Sequence, residues 1–162
     1  MFGILLPQIK NELHLSDTEL GFVTGTAFAL FYATMGVPIA RIADRTSRRN
    51  VLAIAVGAWS GVVALTGFVQ SFWQLAIARV FMGFGEAGAT PPSHAIIGDM
   101  FPKATRASAL AIYGLGSPVG LMMGFILGGW ISQTYGWRAA LLAFGIPGAL
   151  LAIIVRVFLK EP

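Results

Sequence analysis

The sequence contains no cysteine, only two histidines and only seven acidic residues. The first absence removes disulfides, thiolate metal sites and cysteine nucleophiles. The two histidines, His14 and His94, lie far apart and make neither a metal-ligand cluster nor a catalytic dyad, so no metal, cofactor or enzymatic centre is expected. Charge is scarce everywhere: Asp, Glu, Lys and Arg make up 11% of the 162 residues, against roughly 25% in soluble domains. With 56% hydrophobic residues and a mean hydropathy of +0.76, a soluble enzyme, a disordered chain and a nucleic-acid module are all but excluded. The net charge of +4 resides in a few clustered cations. What remains is an all-α membrane protein.

The uncharged runs set the number of spans, since a helix crossing a ~30 Å hydrocarbon core needs about 20 apolar residues. They predict complete spans at about 20–41, 50–69, 72–98, 107–132 and 138–159 within a single transmembrane bundle over residues 1–162. Residues 1–9 (MFGILLPQI) are apolar but too short to cross and lack the basic region and cleavage site of a signal peptide. They read as the tail of a truncated first helix, with a short interfacial segment as the alternative. The cations alternate between the two sides. Arg41, Arg45, Arg48, Arg49, Lys103, Arg106, Arg156 and Lys160 fall on one side, and only Lys10 and Arg138 on the other. The basic loops are therefore expected to be cytoplasmic.

Between the second and third spans stands Ala40-Arg-Ile-Ala-Asp44-Arg45-Thr-Ser-Arg48-Arg49. A positive anchor accounts for the arginines but not for Asp44, an acid at the membrane boundary. The fourth span holds Arg79 and Glu86, which with Gly83 follow i, i+4, i+7 spacing and so share one helical face. Ser93 extends that stripe, and His94, the other titratable candidate for solute or proton handling, lies beside it if the helix stays regular. Pro91-Pro92 predicts a kink there, however, where a histidine satisfied by hydrogen bonds is the alternative. Ionised groups inside a span cost a few kcal/mol each on insertion scales, so both should face protein or a wet cavity. Two readings stand: an internal ion pair that fixes packing, or a pair that handles solute and protons. In the second, Arg79 offers a fork of donors to an anion and Glu86 carries a proton. Tyr32, a phenol within the second span, is a further candidate because it needs a partner. The literal G-x-G-x-x-G at Gly83–Gly88 is not a dinucleotide site, because membrane-length helices rather than a βαβ unit surround it.

In the fifth span Gly116, Gly120, Gly124 and Gly128 recur every fourth residue around Pro118. Small residues at this spacing allow close helix packing. Tyr135-Gly-Trp-Arg138 reads as an interfacial anchor of an amphipathic ring and a snorkelling cation.

The loop at 40–49 resembles the signature loop of the major facilitator superfamily at Asp44, Arg45, Arg48 and Arg49, with Ala40 and Ser47 in place of its two glycines. The glycine–proline run of the fifth span is similar to one carried by exchangers of the superfamily. Together with Ile96-Ile-Gly-Asp99-Met-Phe-Pro102 and Arg106-Ala-Ser-Ala-Leu110, the Arg79–Ala87 segment looks most like the spinster-like branch. The resemblance implies the N-terminal six-helix half of a twelve-helix transporter, whose partners are the bilayer, an absent C-terminal half and a small-molecule or lipid substrate. It further implies a cytoplasmic gate at Asp44, Arg45, Arg48 and Arg49, and rocking about the fifth-span glycines. The expected function is secondary transport of an amphiphilic or anionic solute such as a lysolipid or sphingoid lipid, by alternating access and coupled to protons. An organic-anion or sugar-acid symporter and a truncated, non-transporting membrane subunit are the alternatives. A bacterial inner membrane is the expected location, with an organelle membrane as the other choice.

Overall fold

The computed structural model describes residues 2–161, and every regular element among them is helical. The helices are α1 (Phe2–Leu13), α2 (Asp17–Gly21), a π-helical turn (Phe22–Thr26), α3 (Ala27–Arg45), α4 (Arg48–Thr66), α5 (Phe72–Ala87), α6 (Thr90–Met100), α7 (Lys103–Tyr135) and α8 (Trp137–Phe158). Polar side chains set the starts. Ser16 and Glu19 form a capping box before α2, while Ser47 and Ser71 accept from the amides of Asn50 and Gln74 to open α4 and α5. Gly136, at φ +90°, turns the chain from α7 into α8 in a conformation only glycine adopts without strain.

Among the described residues, four continuous helices are long and apolar enough to cross a membrane: Asp17–Arg45, Arg48–Thr66, Lys103–Tyr135 and Trp137–Phe158. The fourth span expected at 72–98 is not one helix. It breaks at Gly88 and Ala89, where Gly88 N–H bonds to the Phe84 and Gly85 carbonyls and ends α5. Pro91 and Pro92 then fall in the first turn of α6, where a missing amide donor costs nothing, so they start a helix rather than kink one.

α5 sits at the centre. A Cβ on Gly83 would come within 2.9 Å of the Phe28 carbonyl of α3, and one on Gly85 within 2.6 Å of the Trp59 side chain of α4. Glycine at these two positions therefore lets α5 lie backbone to backbone between α3 and α4. α8 presses on α4 in the same manner. A Cβ on Gly145 would meet Ala64 N at 2.6 Å, and one on Gly57 would meet Ala152 at 3.3 Å.

α7 differs. Only Gly124, Gly128 and Ser132 of its 33 residues are buried. Nothing stands within 4 Å of a Cβ on Gly116 or Gly120, so these two line open space and do not make the close packing expected of them.

The apolar core joins Leu5 and Ile9 of α1, Val23, Leu75, Trp137 and Leu141. Large apolar residues such as Trp73 (71% exposed), Ile112 (70%) and Phe158 (76%) stand on the outside. That distribution suits hydrocarbon rather than water.

The two ends of the bundle differ in chemistry. At one, Arg48 binds Asp99 and reaches Asp44 at 3.5 Å, joining α3, α4 and α6. The Glu161 carboxylate accepts from Ser47 Oγ (2.6 Å), Arg48 N (2.8 Å) and Arg49 N (3.1 Å), which caps α4 with the segment that follows α8. The loops carrying eight of the eleven cations thus meet at one end. At the other, Glu12 accepts from Trp137 Nε1 (2.6 Å) and Arg138 Nη2 (2.7 Å), while Arg138 Nη1 donates to the carbonyls of Gly67 and Val69. The YGWR anchor therefore ties α8 to α1 and to the end of α4.

Candidate functional site

A cavity of about 480 Å³ opens between α1, α4, α5, α7 and α8. Arg79, Met82 and Glu86 form one wall, and Gly116, Ser117, Gly120, Leu121 and Gly124 face them from α7. Trp59, Ser60 and Val63 of α4, Leu141, Phe144 and Gly148 of α8, and Phe2 complete the lining. The open space beside Gly116 and Gly120 is therefore part of this chamber. Its walls are mostly apolar and aromatic, with one cation, one carboxylate and two hydroxyls converging on them, the usual make-up of a small-molecule site.

The i, i+4, i+7 spacing does place Arg79 and Glu86 on the same face of α5, both half-buried. They do not form an ion pair within 4.0 Å, in contrast to one of the two readings above. Arg79 is held elsewhere. Its Nε–H donates to Val23 O at 3.1 Å, Nη2 to Thr24 O at 3.4 Å, and Nη1 to the Met82 sulfur at 3.4 Å. The rings of Phe2 and Phe28 lie 4.4 and 4.6 Å from its guanidinium carbon, within cation–π range. The carboxylate of Glu86 remains at the chamber wall with no side-chain hydrogen bond to protein among the described residues.

The structure separates His94 and Tyr32 from the chamber. The break at Gly88–Ala89 rotates α6 away from the α5 stripe, so His94 is exposed and packs edge-on against Tyr113, 5.3 Å between ring centres. Ser93, buried, donates to the Ala89 carbonyl at 2.7 Å. Tyr32 is 39% exposed and stacks on Phe28 at 5.7 Å, behind the ring that touches Arg79. Of the loop residues Asp44, Arg45, Arg48 and Arg49, Arg48 is the bridging cation, Asp44 one of its two partners, and Arg49 donates to Leu159 O. Arg45 is exposed at the helix end.

Sequence reasoning singled out neither Phe2 nor Phe28, and it had no means to see the Val23 and Thr24 carbonyls. It also passed over Trp59, Ser60 and Glu161. For Ser60 a signal existed, since Gly57, Ser60, Gly61 and Ala64 make a small-residue stripe in α4 as regular as that of α7.

A family model for the Major Facilitator Superfamily matches residues 1–162. An MFS-type efflux pump of Mycolicibacterium smegmatis is 38% identical over 153 residues, covering 94% of this chain and 36% of the pump. A sphingosine-1-phosphate transporter of Danio rerio is 28% identical over 163 residues, covering 99% of this chain and 32% of that protein. The crystal structure of a bacterial homologue of the human lysosomal transporter spinster, inward-facing and occupied, superposes with a TM-score of 0.86 at 35% identity, over 98% of this chain and 40% of the other. The chain thus spans about a third of the length of these curated relatives, and the named ones are transporters. It belongs to the major facilitator superfamily and corresponds to the N-terminal half of a spinster-like member.

Proposed function

We propose that the chain supplies one wall of a secondary transporter that moves an amphiphilic or anionic organic solute by alternating access against a second six-helix half. Arg79 binds the anionic group of the solute, and Glu86 takes up and releases a proton during the cycle. The observation that carries this reading is that both ionisable groups of α5 open onto one chamber without a direct ion-pair contact between them. A purely structural pair would be expected in contact, since mutual attraction is what offsets the cost of burial. Apolar walls around a lone cation suit a lysolipid or sphingoid phosphate, in keeping with the sphingosine-1-phosphate transporter among the relatives. The end that gathers Asp44, Arg45, Arg48 and Arg49 faces the cytoplasm and works as the gate, and a bacterial inner membrane is its setting.

Transport by the full-length protein in liposomes, with and without a proton gradient, across lysolipids and sugar acids, tests the proposal. Uptake that grows with the gradient, and that Arg79→Lys reduces because an ammonium cannot hold the Val23 and Thr24 carbonyls and present a fixed donor to the anion at once, is the expected result. Uptake insensitive to both the gradient and Arg79→Lys would refute it.

A further inference from the structure

The guanidinium of Arg79 is restrained on one edge and by two rings, and much less so at its Nη1 end. The Nε and Nη2 donors are taken by main-chain carbonyls, and Phe2 and Phe28 lie against the guanidinium carbon. The Nη1 contact is with a thioether, a weak acceptor, from Met82, which itself lines the chamber.

The Val23 carbonyl is available because of the π turn. In an α-helix the Ala27 amide would bond to Val23 O; here it bonds to Phe22 O, and Val23 O receives Arg79 Nε instead. π turns of this kind are rare and cluster at functional sites. The ring of Phe28, one turn along, is fixed in its own right. Gly83 of α5 runs against its backbone, and Tyr32 stacks on its outer side.

We infer that the π turn Phe22–Thr26 and Phe28 are positioning elements, holding the Nη1 end of Arg79 toward the chamber as a receptor for the oxyanion head group of a single-chain amphiphile. This rests on the anion-binding role given to Arg79 above. A guanidinium whose plane is already fixed loses little freedom when the ligand arrives, so positioning shows in discrimination between charged and uncharged heads. The apolar tail would lie along Trp59, Leu121 and Phe144 of the same chamber.

Three ligands with one acyl tail test this on the full-length protein in nanodiscs: 1-oleoyl lysophosphatidate, oleate and uncharged 1-oleoylglycerol. Wild type should prefer at least one anion over the uncharged ligand by roughly tenfold or more, the scale of a charge-assisted hydrogen bond. Whichever anion shows the preference identifies the head group as phosphate or carboxylate. Arg79→Gln, which removes the charge, should abolish that preference, and Arg79→Lys, which keeps the charge but not the fixed plane, should lower it. Phe28→Leu or Phe28→Met should lower it about fivefold, the scale of one cation–π contact, and Phe28→Trp should retain it. Melting temperatures select the variants that fold.

If Arg79→Gln removes the preference while folded Phe28→Leu and Phe28→Met keep it, the positioning role is overturned and anion binding by Arg79 stands. Equal loss in all the Phe28 variants, Trp included, also overturns it. If wild type shows no preference, or a folded Arg79→Gln leaves it intact, both readings fall.

Discussion

Substituting Gly145 by alanine probes which glycines hold the bundle together. A Cβ at this position would lie 2.6 Å from Ala64 N, 2.7 Å from Ala64 Cβ and 2.8 Å from Ser60 O. Two of the three obstacles are backbone atoms, which no rotamer change can move aside. Reaching ordinary contact would require α8 to withdraw from α4 by roughly 1 Å, and close-packed interiors resist such shifts. Overpacking costs about 1–3 kcal/mol, and rigid obstacles place Gly145→Ala near the upper end. Gly120→Ala is the matched control, since nothing lies within 4 Å of its Cβ. There the helix propensity of alanine over glycine applies, and the change should be neutral or stabilising by up to about 1 kcal/mol. Unfolding of the purified full-length protein in one detergent, followed by helical circular dichroism, measures both. If Gly145→Ala is as stable as wild type, or if Gly120→Ala is the more damaging change, the α4–α8 interface is not where the small residues act.

Further outcomes follow from the two ends. Hydrogen bonding by the Trp137 indole, with further help from Arg138, holds the Glu12 carboxyl below the ordinary carboxylate range. A depressed carboxylate stabilises the fold above its unfolded pKa and loses that contribution as pH falls through the folded value. Melting temperature should therefore drop on acidification below the ordinary carboxylate range, and Glu12→Gln should be less stable at neutral pH with a flatter acid limb. An unchanged profile would show that the clasp contributes nothing. At the basic end, Ser47 caps α4 and donates to Glu161, so Ser47→Ala should cost about 1 kcal/mol, measurable in the same unfolding assay, and Ser47→Thr should largely restore it.

Much of the bundle was legible in sequence because hydrocarbon enforces a coarse rule: long uncharged runs, with cations between them on one side. The face shared by Arg79 and Glu86 was legible because seven residues of an unbroken helix return to the same side. The partners of Arg79 were not. Its acceptors are backbone carbonyls more than fifty positions earlier, that of Val23 released by a π turn that no residue type in Phe22–Thr26 announces. The fate of His94 turned on where one helix ended. The proline pair suggested a kink, whereas the chain turned just before it, at Gly88, and that offset was enough to remove His94 from the stripe. The glycines of α7 divide within this chain: Gly124 and Gly128 are buried, whereas Gly116 and Gly120 meet open space. Spacing tells which residues share a face, but not whether a neighbour comes close enough to use it.

Proton movement accompanying transport tests the role of Glu86 most directly. With the solute established by the liposome assay, a pH-sensitive dye inside the vesicles should report protons entering or leaving with substrate in wild type. Glu86→Gln, folded and still binding solute, should abolish that signal and flatten the pH dependence of transport. Undiminished proton flux in Glu86→Gln would contradict proton coupling through this carboxylate.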